Sequence, residues 1–174
     1  ADNAAAFERS PAVYYPYVEP APGDGRGLVE TWASQASVVV TDDFPCFFLP
    51  TIVIAVGRRL RVKAEAVDAN GLLPMRAAPK AFYSAYLFRR YLQGVMGHAL
   101  ETPPSDDPVS ALPPAVATLP AALIGRWPKA SPELLGGSAT ALAALPIDHS
   151  VPVAPHHGGS REAARRLQVF VHER

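Results

Sequence analysis

The chain has 174 residues, 49% of them hydrophobic and 18% charged, which supports one globular domain with a real core and not comfortably two. Sixteen basic and sixteen acidic side chains cancel, so composition carries no bulk signature of a nucleic-acid or membrane-surface binder. The single cysteine, Cys46, excludes an internal disulfide and fits a reducing, cytoplasmic setting. No apolar run reaches bilayer length, and residues 1–7 lack the basic and apolar regions of an export signal.

Residues 1–9 are strong helix formers with no capping residue before them, and are expected to be the tail of a helix that starts outside this chain. Residues 12–19 are aromatic and β-branched and read as a strand. Pro16 cannot donate to a ladder, which places that strand at a sheet edge. A Pro- and Gly-rich loop over 20–27 leads into a short amphipathic helix over 28–35. Val38-Val39-Val40-Thr41 then runs into Asp42 and Asp43, the pattern of a buried parallel strand whose C-terminal end opens on a ligand-facing crevice.

A helix is expected over 50–60, with Pro50 in its first turn and Ile52, Val53 and Val56 as its apolar stripe. Arg58 and Arg59 lie at its dipole-favoured end. Residues 62–67 alternate and predict a half-exposed third strand ending at Asp68. Asn70-Gly71 is a turn signal, and residues 72–75 continue extended. Strand, helix, strand, helix and strand in this order are α/β arithmetic, with right-handed parallel connections. A long helix follows over 81–100. Residues 101–155 then hold much of the chain's unusual complement of 19 prolines and predict a non-regular wrap, with short helices near 121–124 and 138–144. Ser160 is positioned to cap a last helix over 161–174.

Several residues carry candidate chemistry. Gly23-Asp24-Gly25-Arg26-Gly27 lies between a strand and a helix, as a dinucleotide fingerprint does, but its spacing is G-x-G-x-G and it reads first as a flexible loop. Asp42 and Asp43 either orient a ligand's hydroxyl or ring N–H groups from the strand end or cap the local turn. Phe44, Phe47 and Phe48 read as core packing, with the lining of an aromatic ring's pocket as the alternative. Cys46 reads as an inert buried thiol. His149, His156 and His157 lack further Cys or carboxylate partners and read as a solvated loop. Lys80, Arg89 and Arg90 are interleaved with Phe82, Tyr83, Tyr86 and Tyr91. Such a helix is usually half core and half snorkelling cation, and an acidic or nucleic partner is the other reading.

Two segments together resemble a known family. Val39-Val40-Thr41-Asp42, through Val67-Asp68-Ala69-Asn70-Gly71-Leu72-Leu73-Pro74-Met75, then Lys80, Tyr83, Ala85 and Arg89 in the helix start, resemble the N-terminal α/β domain of the photolyase/cryptochrome family. The similarity is greatest to class II-type cyclobutane pyrimidine dimer photolyases and covers roughly the middle half of the chain. It implies a Rossmann-like doubly wound parallel sheet lacking its first strands, with residues 13–18 as the edge strand. It further implies a partial antenna domain over 1–100, a Pro-rich interdomain linker over 101–159, and a helix over 160–174 leading to an FAD-binding domain absent from these residues.

The family splits pyrimidine dimers in damaged DNA by light-driven electron transfer from reduced FAD. The resemblance therefore implies no catalytic residue here, since that chemistry belongs to the flavin domain. It implies an antenna chromophore, a deazaflavin or a folate, near Thr41, Asp42, Asp43, Phe44 and Phe47. Self-association of the fragment is expected from apolar faces left uncovered. The rival readings are a cryptochrome-like signalling module without repair activity, and a flavodoxin-like or electron-transfer-flavoprotein-like nucleotide binder using residues 23–27.

Overall fold

The computed structural model describes residues 2–8, 10–101, 103–105, 107–113 and 118–173. The chain divides into two compact units, one of Gly27–Asp106 and one of Ala1–Arg26 with Asp107–Arg174. The first 26 residues thus group with the proline-rich segment and the last helix.

In the unit from Gly27 to Asp106, α2 (Leu28–Ala33) starts from Gly27, whose φ of 82° is left-handed backbone that favours glycine. β1 (Val38–Asp42) and β2 (Lys63–Val67) pair in parallel, with Val38 opposite Lys63 and Asp42 opposite Val67. The helix α3 (Leu49–Gly57) forms the crossover, with Pro50 in its first turn. Val53, Val56 and Leu60 recur at helical spacing and are half-buried. With Val29, Val39, Ala64 and Ala66 they line an apolar cavity of about 400 Å³.

The parallel pairing agrees with the α/β reading of these residues, but the burial does not. Val39 is the one half-buried residue of β1, Val38 and Val40 are 42% and 59% exposed, and all of β2 is exposed. The reason is architectural: a parallel sheet is buried by helices packed on both its faces, and among the described residues no helix packs extensively on this two-stranded one.

The chain after β2 turns into a 3₁₀ turn at Met75–Ala77 instead of continuing extended. It then enters α4 (Ala85–Glu101), where the Ser84 Oγ accepts the Leu87 N–H at 3.4 Å. Phe82 packs on Phe88 and Tyr91, and the Tyr91 hydroxyl donates to the Ala77 carbonyl at 2.7 Å.

The other unit holds α1 (Asp2–Phe7), α5 (Ala121–Arg126), α6 (Pro132–Leu135), α7 (Ala139–Ala143) and α8 (Ser160–His172). Its core is Trp127, 2% exposed, beside Leu123 at 4%. The Trp127 indole N–H donates to the Asp24 carbonyl at 2.8 Å, its own carbonyl accepts the Tyr15 hydroxyl, and the Arg126 guanidinium lies 4.3 Å from its ring. Residues 12–19, expected as an edge strand, join no ladder. Pro16 has no N–H to give, and its carbonyl takes a single bond from the Ala130 N–H.

The cap of α8 is also corrected. Ser160 is already helical, and Gly159 precedes it with φ 117° and no side chain. The Asp2 carboxylate supplies the cap, accepting the Arg161 N–H at 3.1 Å and the Ser160 hydroxyl at 3.4 Å. A Cβ on residue 159 would meet Asp2 Oδ2 at 2.6 Å, so the close approach needs glycine twice over. No helix among the described residues is long and apolar enough to cross a membrane.

Candidate functional site at the strand ends

Because β1 and β2 are parallel and in register, the segments that follow Asp42 and Val67 leave the same edge of the sheet. The Asp43 N–H donates to the Val67 carbonyl at 2.8 Å and extends the ladder by one bond. Beyond it the side chains close a ring. The Asn70 amide donates to the Asp43 carbonyl at 3.0 Å and to Asp68 Oδ1 at 3.3 Å. The Asp68 carboxylate also accepts the Asn70, Met75 and Arg76 backbone N–H groups at 3.4, 2.6 and 3.4 Å. Arg76 returns its guanidinium to Asp43 Oδ2, with Nε and a terminal nitrogen each at 2.8 Å. This ring turns the chain at 68–76 and accounts for the 3₁₀ turn. Partial burial pushes the Asp68 carboxyl up, but the hydrogen bonds from Asn70, Met75 and Arg76 outweigh it and hold the group below its ordinary range.

The expected site residues divide around this ring. Asp43 is half-buried and committed to Arg76, so it neither caps its own turn nor offers a free carboxylate. Asp42 is exposed at the end of β1, and no hydrogen bond or ion pair engages its carboxylate among the described residues. Thr41 is exposed on β1 and borders the cavity under α3.

Phe44, Phe47 and Phe48 are 37%, 88% and 67% exposed, which corrects the core-packing expectation. Cys46, expected to be buried, is exposed with them. Phe47 also has φ 58°, left-handed backbone uncommon for an aromatic residue. Uncovered rings beside an uncommitted carboxylate suit a flat heteroaromatic ligand bearing N–H or hydroxyl donors.

Asp68, Asn70 and Arg76 are the site residues that sequence reasoning missed. Asp68 and Asn70 were visible as a strand stop and a turn signal, but their joint role depends on strand register. On the far side of the turn, Leu73, Met75, Phe82, Phe88 and Leu92 line a second, largely apolar cavity of about 730 Å³.

Two other candidate sites resolve into internal contacts. Glu19 Oε1 accepts the N–H groups of Gly23 and Gly25 at 2.9 and 2.8 Å, so the amides a phosphate would need already hold a carboxylate. The His149 ring donates to the Leu145 carbonyl at 2.9 Å, and His156 Nδ1 meets the Arg166 guanidinium at 3.0 Å, while His157 is exposed. Among the described residues no group of three His, Cys, Asp or Glu could hold a metal ion. Comparisons of the chain with protein-family models, with curated proteins and with solved structures return no match.

Proposed function

We propose that this chain is the α/β portion of a photolyase-type DNA-repair protein of the class II kind, built on a Rossmann-like parallel sheet and serving to hold an antenna chromophore. The observation that carries the reading is the edge of the β1–α3–β2 unit, where an uncommitted Asp42 and the uncovered rings of Phe44 and Phe47 stand beside a locked Asp43–Asn70–Asp68–Arg76 ring. Of these residues, Asp42, Asp68 and Asn70 lie in the segments that carry the sequence resemblance. Asp42 would accept a donor on the chromophore, Phe44 and Phe47 would cover its ring faces, and Asp43 would act through Arg76 to hold the turn. A deazaflavin or folate held there would supply light absorption.

In this reading the protein is cytoplasmic, and its partner is damaged DNA, met through the flavin domain. Dimer cleavage, a carbon–carbon lyase reaction, is that domain's chemistry, and none of the present residues is given a catalytic role. The exposed apolar residues of β1, Val38 and Val40, support self-association of the isolated polypeptide. The nucleotide-binding alternative loses support because Glu19 already occupies the glycine amides.

A dimer-repair assay under blue light, with reduced FAD added to this polypeptide, tests the division of labour. No repair is expected. Measurable repair would overturn the assignment of the chemistry to another domain.

A further inference from the structure

Between Asp68 and Glu101 the chain has no acidic residue, yet it carries Arg76, Lys80, Arg89 and Arg90 among Phe82, Tyr83, Tyr86, Phe88 and Tyr91, in a molecule of zero formal charge. These groups have different fates. Arg76 is committed to Asp43, and Phe82, Phe88 and Tyr91 pack on one another. Lys80, Arg89 and Arg90 make no ion pair among the described residues. Tyr83 is 97% exposed and Tyr86 65%. Tyr86, Arg89 and Arg90 share one face of α4 by their spacing, and the Arg90 guanidinium lies 6.0 Å from the Tyr86 ring centroid.

The first turn of α4 holds no acidic residue, so the positive end of this 17-residue helix adds to the cations.

We propose that the face of α4 carrying Tyr86, Arg89 and Arg90, with the exposed Lys80 and Tyr83 in the segment that leads into the helix, binds single-stranded nucleic acid. The cations meet phosphates and the two tyrosines offer their ring faces to unstacked bases, the combination that sequence-tolerant single-strand binding uses. An acidic polypeptide would satisfy the cations but leave the Tyr83 ring, and the face of Tyr86 that Arg90 does not cover, without a role. The inference does not rest on the proposed repair function, because undamaged nucleic acid is the ligand and no light or chromophore is involved.

The test is fluorescence anisotropy of a dye-labelled oligothymidylate with the full chain, alongside heparin, a polyanion without bases, and polyglutamate. Saturable binding is expected at low salt. It should weaken linearly with log salt at a slope of roughly two, for about three neutralised phosphates. Arg89→Ala with Arg90→Ala should weaken oligothymidylate about tenfold and flatten the slope. Tyr83→Ala with Tyr86→Ala should also weaken it about tenfold while leaving heparin unchanged, and the Phe variants should restore binding. Circular dichroism confirms that each variant is folded. Absence of low-salt binding by the folded wild-type chain would overturn the proposal. So would insensitivity to the tyrosine variants. Polyglutamate binding at equal affinity would assign the face to an acidic protein instead.

Discussion

The two best-defined regions of this molecule are held together in opposite ways. Around Trp127 the backbone is irregular and proline-rich, yet it contains the deepest burial among the described residues and joins Tyr15, Asp24 and Leu123 about one indole. In β1–α3–β2 the backbone is regular, yet the strands are largely exposed and order at their edge comes from a polar ring. Regular secondary structure and core formation are therefore separate matters here. A short parallel pair can satisfy its backbone without burying its side chains, while a segment poor in backbone donors can organise itself around one large ring.

The contrast breaks most decisively at the tryptophan. Trp127→Ala should cost about 3–5 kcal/mol of stability, by loss of a buried aromatic and the cavity left behind. Chemical denaturation checks this, and an unchanged midpoint would mean that the indole is not the core of its unit. Asp68→Ala should have a smaller, local effect. It removes the acceptor of the Met75 and Arg76 amides, whose hydrogen exchange should speed up while the Val67–Asp43 ladder bond stays protected. Equal loss of protection in the ladder would show that the ring holds the strands and not only the turn.

The smallest effect concerns α8. Hydrogen bonds from Arg165 and then Arg166 hold the Glu162 carboxyl down from 4.5 to about 2. A folded-state value below the unfolded one contributes stability above pH 4.5, lost as pH falls toward about 2. The two arginines are largely exposed and Glu162 is half-buried, so the loss should appear as partial fraying of α8 by helical circular dichroism in that window. Glu162→Gln should reduce it but not abolish it, because the Asp2 cap, held below its ordinary range by the Arg161 N–H, titrates at the same helix end.

Local pattern made part of this legible. The helix starting at Leu28, the strand from Val38, the crossover helix and the strand ending at Val67 all follow from periodicity and stop signals within a few residues. The short helices α5 and α7 stood near their expected places, whereas α6, four residues set by Ser131 and Pro132, was not foreseen. What escaped is long-range. Asp2 caps α8 from 159 positions away, Tyr15 reaches Trp127 across 112, and Arg76 reaches Asp43 across 33. No local spacing encodes such pairings. Burial escaped for the same reason: the apolar composition of Val38–Asp42 predicts a covered strand, but cover is supplied by helices packed on the faces of the sheet.

The most direct measurement is a fluorescence titration of the purified chain with a deazaflavin and, separately, a folate, repeated on Asp42→Ala and on Phe44→Ala with Phe47→Ala. These side chains lie at the exposed strand edge, where truncation should leave the fold intact. The account predicts saturable binding of one chromophore, weakened about tenfold by either variant, as expected for a lost charged hydrogen bond or stacking contact. Binding of neither chromophore, or binding indifferent to both variants, would contradict it.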